Sequence, residues 1–140
     1  MVIDQSGSMD PLKDGLVKNY HEQLEAIQSL SKQKGLNVYV TTVLFNESVS
    51  FVQINKEIEE LWDISYYYKP DGLTAMNDAI GLSVNNLLMH SAKGQINYVS
   101  VFTDGLENAS SIYSAEDISQ LYQKLLDGDG KLKIFCPEGD

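Results

Sequence analysis

The sequence predicts an α/β fold: a doubly wound, mostly parallel central sheet with one short antiparallel edge strand and helices on both faces. Three observations carry this. Short runs rich in β-branched and aromatic residues alternate along the chain with longer segments of helical periodicity. Two of those runs, 38–45 and 49–54, are joined only by Asn46-Glu47-Ser48, a link so short that it forces a hairpin and one antiparallel pair. Every other neighbouring pair of runs is separated by a helical segment, which calls for right-handed parallel crossovers.

The elements follow in order. Val2 and Ile3 are the visible part of a first strand that runs into Asp4. Asp10-Pro11 reads as a helix start, with Asp as cap and Pro at the first helical position. Leu12, Leu16, Tyr20, Leu24, Ile27 and Leu30 then form one apolar stripe on a helix that Gly35 ends. VYVTTVLF (38–45) reads as a strand buried on both faces, and VSFVQI (49–54) as its hairpin partner. Glu57 to Leu61 predicts a brief helix. DISYYYKPDG (63–72) predicts an irregular loop, with Tyr66, Tyr67 and Tyr68 packed partly into it, or, as the alternative, forming an exposed partner-binding patch. Thr74 stands at the start of a helix whose stripe is Met76, Ile80, Val84, Leu87 and Leu88. INYVSVF (96–102) is the next strand and ends at Thr103-Asp104-Gly105. Ser114 caps a further helix with Glu116 and Asp117 in its first turn and a stripe of Ile118, Leu121, Tyr122 and Leu125. KLKIFC (131–136) is the last strand.

The totals bound the function. The 140 residues, 43 % of them apolar, suit one domain spanning 1–140. Ten basic against twenty acidic residues give a net charge of −10. That lacks the basic footprint of a nucleic-acid binder and disfavours an anionic membrane surface. Partners that are cations or basic surfaces suit it better. The single cysteine, Cys136, excludes an internal disulfide and a multi-thiol zinc cluster, and His21 and His90 stand alone. No signal-peptide pattern and no membrane-spanning apolar run is present, so a cytoplasmic placement is expected.

In open sheets of this class, ligands sit beyond the C-terminal ends of the strands. Three polar spots fall on that rim: Asp4, Ser6 and Ser8 after the first strand, Thr74 before a helix, and Asp104 after the 96–102 strand. All five side chains carry oxygen and none is basic. A hard cation is the guest they suit, and Mg²⁺ accepts such a set with few carboxylates and retained water. Taken singly, each residue is an ordinary turn or cap residue. Taken jointly, they require three coincidences on one rim.

Asp4-x-Ser6-x-Ser8, then Thr74 within Gly72-Leu-Thr-Ala-Met-Asn-Asp-Ala-Ile80, then Thr103-Asp104-Gly105, resembles the metal-ion-dependent adhesion site of von Willebrand factor A domains, also called integrin I-like domains. The resemblance spans residue 2 to about residue 135, and Thr41-Thr-Val-Leu-Phe45 and Thr103-Asp-Gly-Leu-Glu-Asn-Ala-Ser110 look most like bacterial or phage-type cytoplasmic members. It implies a Rossmann-like sheet and a divalent ion, Mg²⁺ with Mn²⁺ or Ca²⁺ as alternatives. Ser6 and Ser8 would ligate it directly. Thr74 would ligate it in a high-affinity state and withdraw in the other. Asp4 and Asp104 would act through bound water, and Gly7 would let the backbone turn between the two serines. The open coordination position would take a Glu or Asp of a protein partner. Family members usually carry one more strand and a C-terminal helix, so a chain trimmed at the C-terminus, and at the N-terminus too, is expected.

Asp78 reads as a favourable charge near a helix N-terminus, with support of the metal loops as the alternative. Glu107 and Asn108 are candidates for touching the partner. An enzymatic alternative, a metal-dependent phosphatase or hydrolase, would use Asp4 as nucleophile. However, Ser6 stands where the dehalogenase-type phosphatase signature has its second Asp. No Gly-rich phosphate loop or GxSxG elbow occurs, and no Lys or Arg lies in the three rim motifs to balance a phosphate. The expected protein is therefore a binding module rather than an enzyme. A metal-free scaffolding domain is the third reading.

Overall fold

The computed structural model describes residues 1–105 and 107–136; the single-domain reading also runs over 137–140, which with Leu106 lie outside the described residues. Five strands form one sheet: β1 (Val2–Asp4), β2 (Tyr39–Phe45), β3 (Val49–Glu57), β4 (Tyr98–Phe102) and β5 (Lys131–Phe135), in the order β3-β2-β1-β4-β5. β1 pairs in parallel with both β2 and β4, and β4 with β5, while β2 and β3 form the antiparallel hairpin. The fold is thus α/β with a mostly parallel sheet and an antiparallel edge.

Three residues suffice for the central strand because they are hydrogen-bonded on both sides. Val2, Ile3 and Asp4 lie opposite Val43, Leu44 and Phe45, and Val2 and Ile3 lie opposite Val101 and Phe102. Alternation along so short a strand sends Ile3 and Val2 into different cores. Ile3 joins Leu16, Tyr20 and Leu24 of α1 (Lys13–Lys34) and Phe102. Val2 joins Ala79, Ile80 and Val84 of α2 (Met76–His90) with Leu121 and Leu125 of α3 (Ala115–Asp127). Each large apolar side chain buried in this way contributes roughly 1.5–3 kcal/mol.

Several element ends differ from expectation. Asp10 and Pro11 do not open α1; they lie inside a 3-10 helix, Gly7–Leu12, that turns the chain from β1 onto the sheet face with Met9 fully buried. Pro11 cannot donate an i→i−3 bond within that turn, but it precedes α1, which begins at Lys13, and so takes no hydrogen bond from it. Gly35 does end α1, in the left-handed conformation at φ 65°. Leu30 and Tyr122, counted in the helix stripes, are exposed. β3 runs on to Glu57 past a register shift in the hairpin, and β4 starts at Tyr98 rather than at residue 96. The brief helix predicted over 57–61 is a 3-10 turn, Ile58–Glu60. Ser114 caps α3 as expected, and the cap is a reciprocal box that the sequence reading did not include: its hydroxyl accepts from Asp117 N–H while the Asp117 carboxylate accepts from Ser114 N–H.

Candidate metal centre

β1 sits between strands reached by connections that leave in opposite directions, first to β2 and later to β4. In open sheets of this order, such a position between diverging connections is where ligands sit. Asp4 is the last residue of β1 and is wholly buried. Its Oδ1 accepts the Ser6 N–H at 2.8 Å and its Oδ2 accepts the Thr103 hydroxyl at 2.7 Å. Both donors are neutral. Among the described residues no lysine or histidine pairs with Asp4. A carboxylate buried this deeply is costly unless hydrogen bonds and a positive charge offset its desolvation, and only the hydrogen bonds come from the chain.

The first loop continues toward β4. Ser6 Oγ lies 3.2 Å from Ser8 Oγ, and the Ser8 hydroxyl donates to the Asp104 carboxylate. Asp4, Ser6, Ser8 and Asp104 therefore form one connected cluster, with Thr103 as a fifth member that the sequence reading did not select. Ser6 is buried, Asp104 half-buried and Ser8 exposed, so the cluster opens to solvent on the Ser8 side. Gly105 donates its N–H back to the Thr103 hydroxyl at 3.1 Å and has φ 92°, a conformation that favours glycine. Gly7, by contrast, has no positive φ, and a Cβ there would meet only Gly72 backbone at 3.6 Å. The turn between the serines does not depend on glycine.

Thr74 lies on the same rim, but not as the helix cap. α2 begins at Met76 behind Ala75, whose side chain cannot cap it; its first-turn N–H groups at Asn77 and Asp78 donate instead to Glu107 Oε1 and Ser110 Oγ at 3.2 and 3.0 Å. Thr74 instead spends its backbone on the loop after β4: its N–H donates to Asn108 Oδ1 at 2.8 Å, and its carbonyl accepts the Asn108 and Ala109 N–H groups at 2.9 and 3.1 Å. Two residues earlier, the Gly72 carbonyl accepts the Gly7 N–H at 2.9 Å, which ties the Thr74 loop to the first loop. All five predicted residues thus share one rim. Ser6, Ser8 and Asp104 are linked through their side chains, Asp4 joins them by accepting the Ser6 backbone N–H, and the buried Thr74 is joined through backbone.

Supporting residues surround the cluster. Tyr68 is fully buried, and its hydroxyl donates to the Asp4 carbonyl at 2.6 Å. Burial, and then the negative charges of Asp4 and Asp104, push that phenol well above its usual range, so it stays a donor. Its neighbours Tyr66 and Tyr67 are exposed, so the tyrosine tract is not packed as a unit. Asn108 and Glu107, candidates for partner contact, bind within the chain: Asn108 holds Thr74, and Glu107 accepts from Asn77 N–H at 3.2 Å and from the Ser110 hydroxyl. Asp78 does more than sit at a helix start. Its carboxylate accepts the N–H groups of Ser111, Ile112 and Tyr113 at 2.9, 2.9 and 2.8 Å, and so anchors the loop between β4 and α3. Burial works to raise its pKa, but those three bonds and one from Ser110 outweigh it and hold the carboxyl below the usual value of 3.8.

Among the described residues no three His, Cys, Asp or Glu side chains cluster as a metal site. Any ion here would rest on hydroxyls and two carboxylates. An oxygen-only set of low charge suits a hard cation such as Mg²⁺ and is a poor match for zinc or copper.

No family model matches this chain, and no curated protein matches it. Among solved structures, proximal thread matrix protein 1 from the mussel byssus is similar with a TM-score of 0.56 at 19 % identity, over 96 % of this chain and 34 % of that one. A second crystal form of the same protein gives 0.52 at 20 % identity, over 96 % and 33 %. This chain spans about a third of the length of those structures, and at such identity the likeness shows the α/β fold alone.

Proposed function

We propose that this chain is a von Willebrand factor A-like, doubly wound domain that binds an acidic residue of a protein partner through a divalent cation. Ser6, Ser8 and Thr74 would hold the ion by their hydroxyls, and Asp4 and Asp104 would hold bound water and orient those hydroxyls. Mg²⁺ is the ion proposed, with Mn²⁺ or Ca²⁺ as substitutes. When bound, it would supply an electrophilic position for a Glu or Asp carboxylate. Keeping the carboxylates behind water leaves more of the ion's charge for the incoming group.

The observation that carries this reading is the wholly buried Asp4 carboxylate. It has two neutral donors and no basic partner among the described residues, and it lies in a cluster of oxygen side chains that opens to solvent. A resident cation offsets that desolvation. The partner class follows from the same charge argument: a rim this acidic repels an anionic partner until a cation bridges the two. The same field disfavours nucleic acid, and no described helix is long and apolar enough to cross a membrane. A cytoplasmic role as a non-catalytic binding module is proposed with it.

The test is capture of a partner from cell extract on the immobilised chain. Bound protein should leave with EDTA and return with Mg²⁺, and Asp4→Ala should capture none. Capture indifferent to EDTA and to that substitution would overturn the reading.

A further inference from the structure

A groove of about 330 Å³ lies apart from the rim, between α1 and the segment that follows β3. Leu24 and Ile58 form its buried floor, and Trp62 is an exposed apolar wall. Glu25, Glu59 and Asp63 line it as well, all exposed. The site shares no residue with the metal cluster.

Two features distinguish this groove from a chance depression. First, the wall is held in place. The buried Gln53 side chain holds the Trp62 backbone, accepting its N–H at 2.8 Å and donating to its carbonyl at 3.5 Å, and the indole stacks on Tyr67 with centroids 6.1 Å apart. An exposed tryptophan fixed in this way loses little freedom when it is covered, the usual property of an interface anchor. Second, the charges are unbalanced. Glu25 and Glu59 make no ion pair or hydrogen bond among the described residues, whereas Asp63 is engaged by Ser65 and His21. Lys56 of the chain itself lies with its Nζ 4.3 Å from the indole centroid, so this ring already takes an ammonium group.

We propose that the groove docks a basic segment of a protein partner, one lysine or arginine lying between Glu25 and Glu59 with its stem on Leu24 and beside Trp62. An apolar floor below two uncommitted carboxylates matches the apolar stem and charged head of those side chains. A second copy of this chain is the poorer occupant, because each copy carries a net charge of −10.

Trp62 is the only tryptophan in the chain, so its fluorescence reports this groove. The full chain is titrated with a short blocked Leu/Lys peptide, with its Leu/Glu counterpart and with spermine, in EDTA so that the rim site is silent. The Leu/Lys peptide should give a saturable change that weakens with salt, and the Leu/Glu peptide none. Glu25→Gln/Glu59→Gln should weaken it about tenfold. Glu116→Gln/Asp129→Asn, with the same change of net charge on other elements, should leave it intact. An equal effect of both double variants means diffuse attraction and overturns the proposal. So does spermine binding as tightly as the peptide, or a fluorescence change that follows self-association in sedimentation.

Discussion

Tyr68→Phe removes one oxygen from the interior and nothing else. The ring stays, and with it the packing against Ile3, Met9 and Ile64 in the core on the α1 side. What is lost is the 2.6 Å bond from the phenol to the Asp4 carbonyl, where both residues are wholly buried. The carbonyl is left without that donor, and leaving a buried acceptor unsatisfied costs about 1–3 kcal/mol. The loop that carries Tyr68 does not fall away. Lys69 N–H still reaches Gln5 Oε1 at 3.1 Å, Asp71 N–H still reaches the Gln5 carbonyl at 2.8 Å, and the Gly7–Gly72 bond remains. The variant should therefore fold, unfold in urea at a lower midpoint with an unchanged slope, and lose roughly that energy. Its first loop is less rigid, so Mg²⁺ affinity should drop about tenfold, as happens when groups behind metal ligands are removed. Tyr66→Phe is the control, since its hydroxyl is exposed and its effect should stay within about 0.5 kcal/mol. An unchanged urea midpoint together with unchanged Mg²⁺ affinity in Tyr68→Phe would refute the idea that this phenol holds the loop.

Other outcomes follow from single positions. Gly81 lies inside α2, where alanine ordinarily gains about 1 kcal/mol, but a Cβ there would meet the Tyr113 ring at 2.4 Å. Gly81→Ala should instead destabilise by about 1–3 kcal/mol in thermal or urea unfolding. Thr103→Val keeps the shape but takes a donor from the Asp4 carboxylate, and should cost about 1.5–3 kcal/mol, less when Mg²⁺ is present. Asp78 has a depressed folded pKa, so its stabilising share is complete above the unfolded value of 3.8 and is lost as pH falls through the folded one. The stability gap between the wild type and Asp78→Asn should thus stay constant well above 3.8 and narrow as pH falls below that value through the folded pKa, as read by unfolding at several acidic pH values.

The parts legible in the sequence were those set by local chemistry. VYVTTVLF and VSFVQI formed the hairpin, and Ser114 made its cap. The placement of Asp4 and Asp104 on one rim was also legible, because the ends of parallel strands are fixed by topology, and Asp4 ends β1 while Asp104 lies just past β4. What stayed hidden depends on contacts between distant segments. Tyr68 reaches Asp4 across 64 residues, and Thr103 reaches it across 99, and no periodicity encodes either. The only available signal for Thr103 was its place beside Asp104 at a strand end. Asp10-Pro11 misled because a good capping pair is equally at home in a 3-10 turn, and burial of Met9 decided between the two. Thr74 reads as a helix cap by type, but the Asn108 amide and backbone claim its N–H and carbonyl and move the helix start to Met76.

The most direct test of the proposed metal site is calorimetric titration of the chain, treated with EDTA and dialysed, with Mg²⁺. A single binding event is predicted, with unfolding made harder by about 2.7 kcal/mol at one hundred times the dissociation constant. Asp4→Ala/Ser6→Ala, and the milder Ser8→Ala, should abolish or weaken that event. No heat at millimolar Mg²⁺, or binding unchanged in both variants, would contradict it.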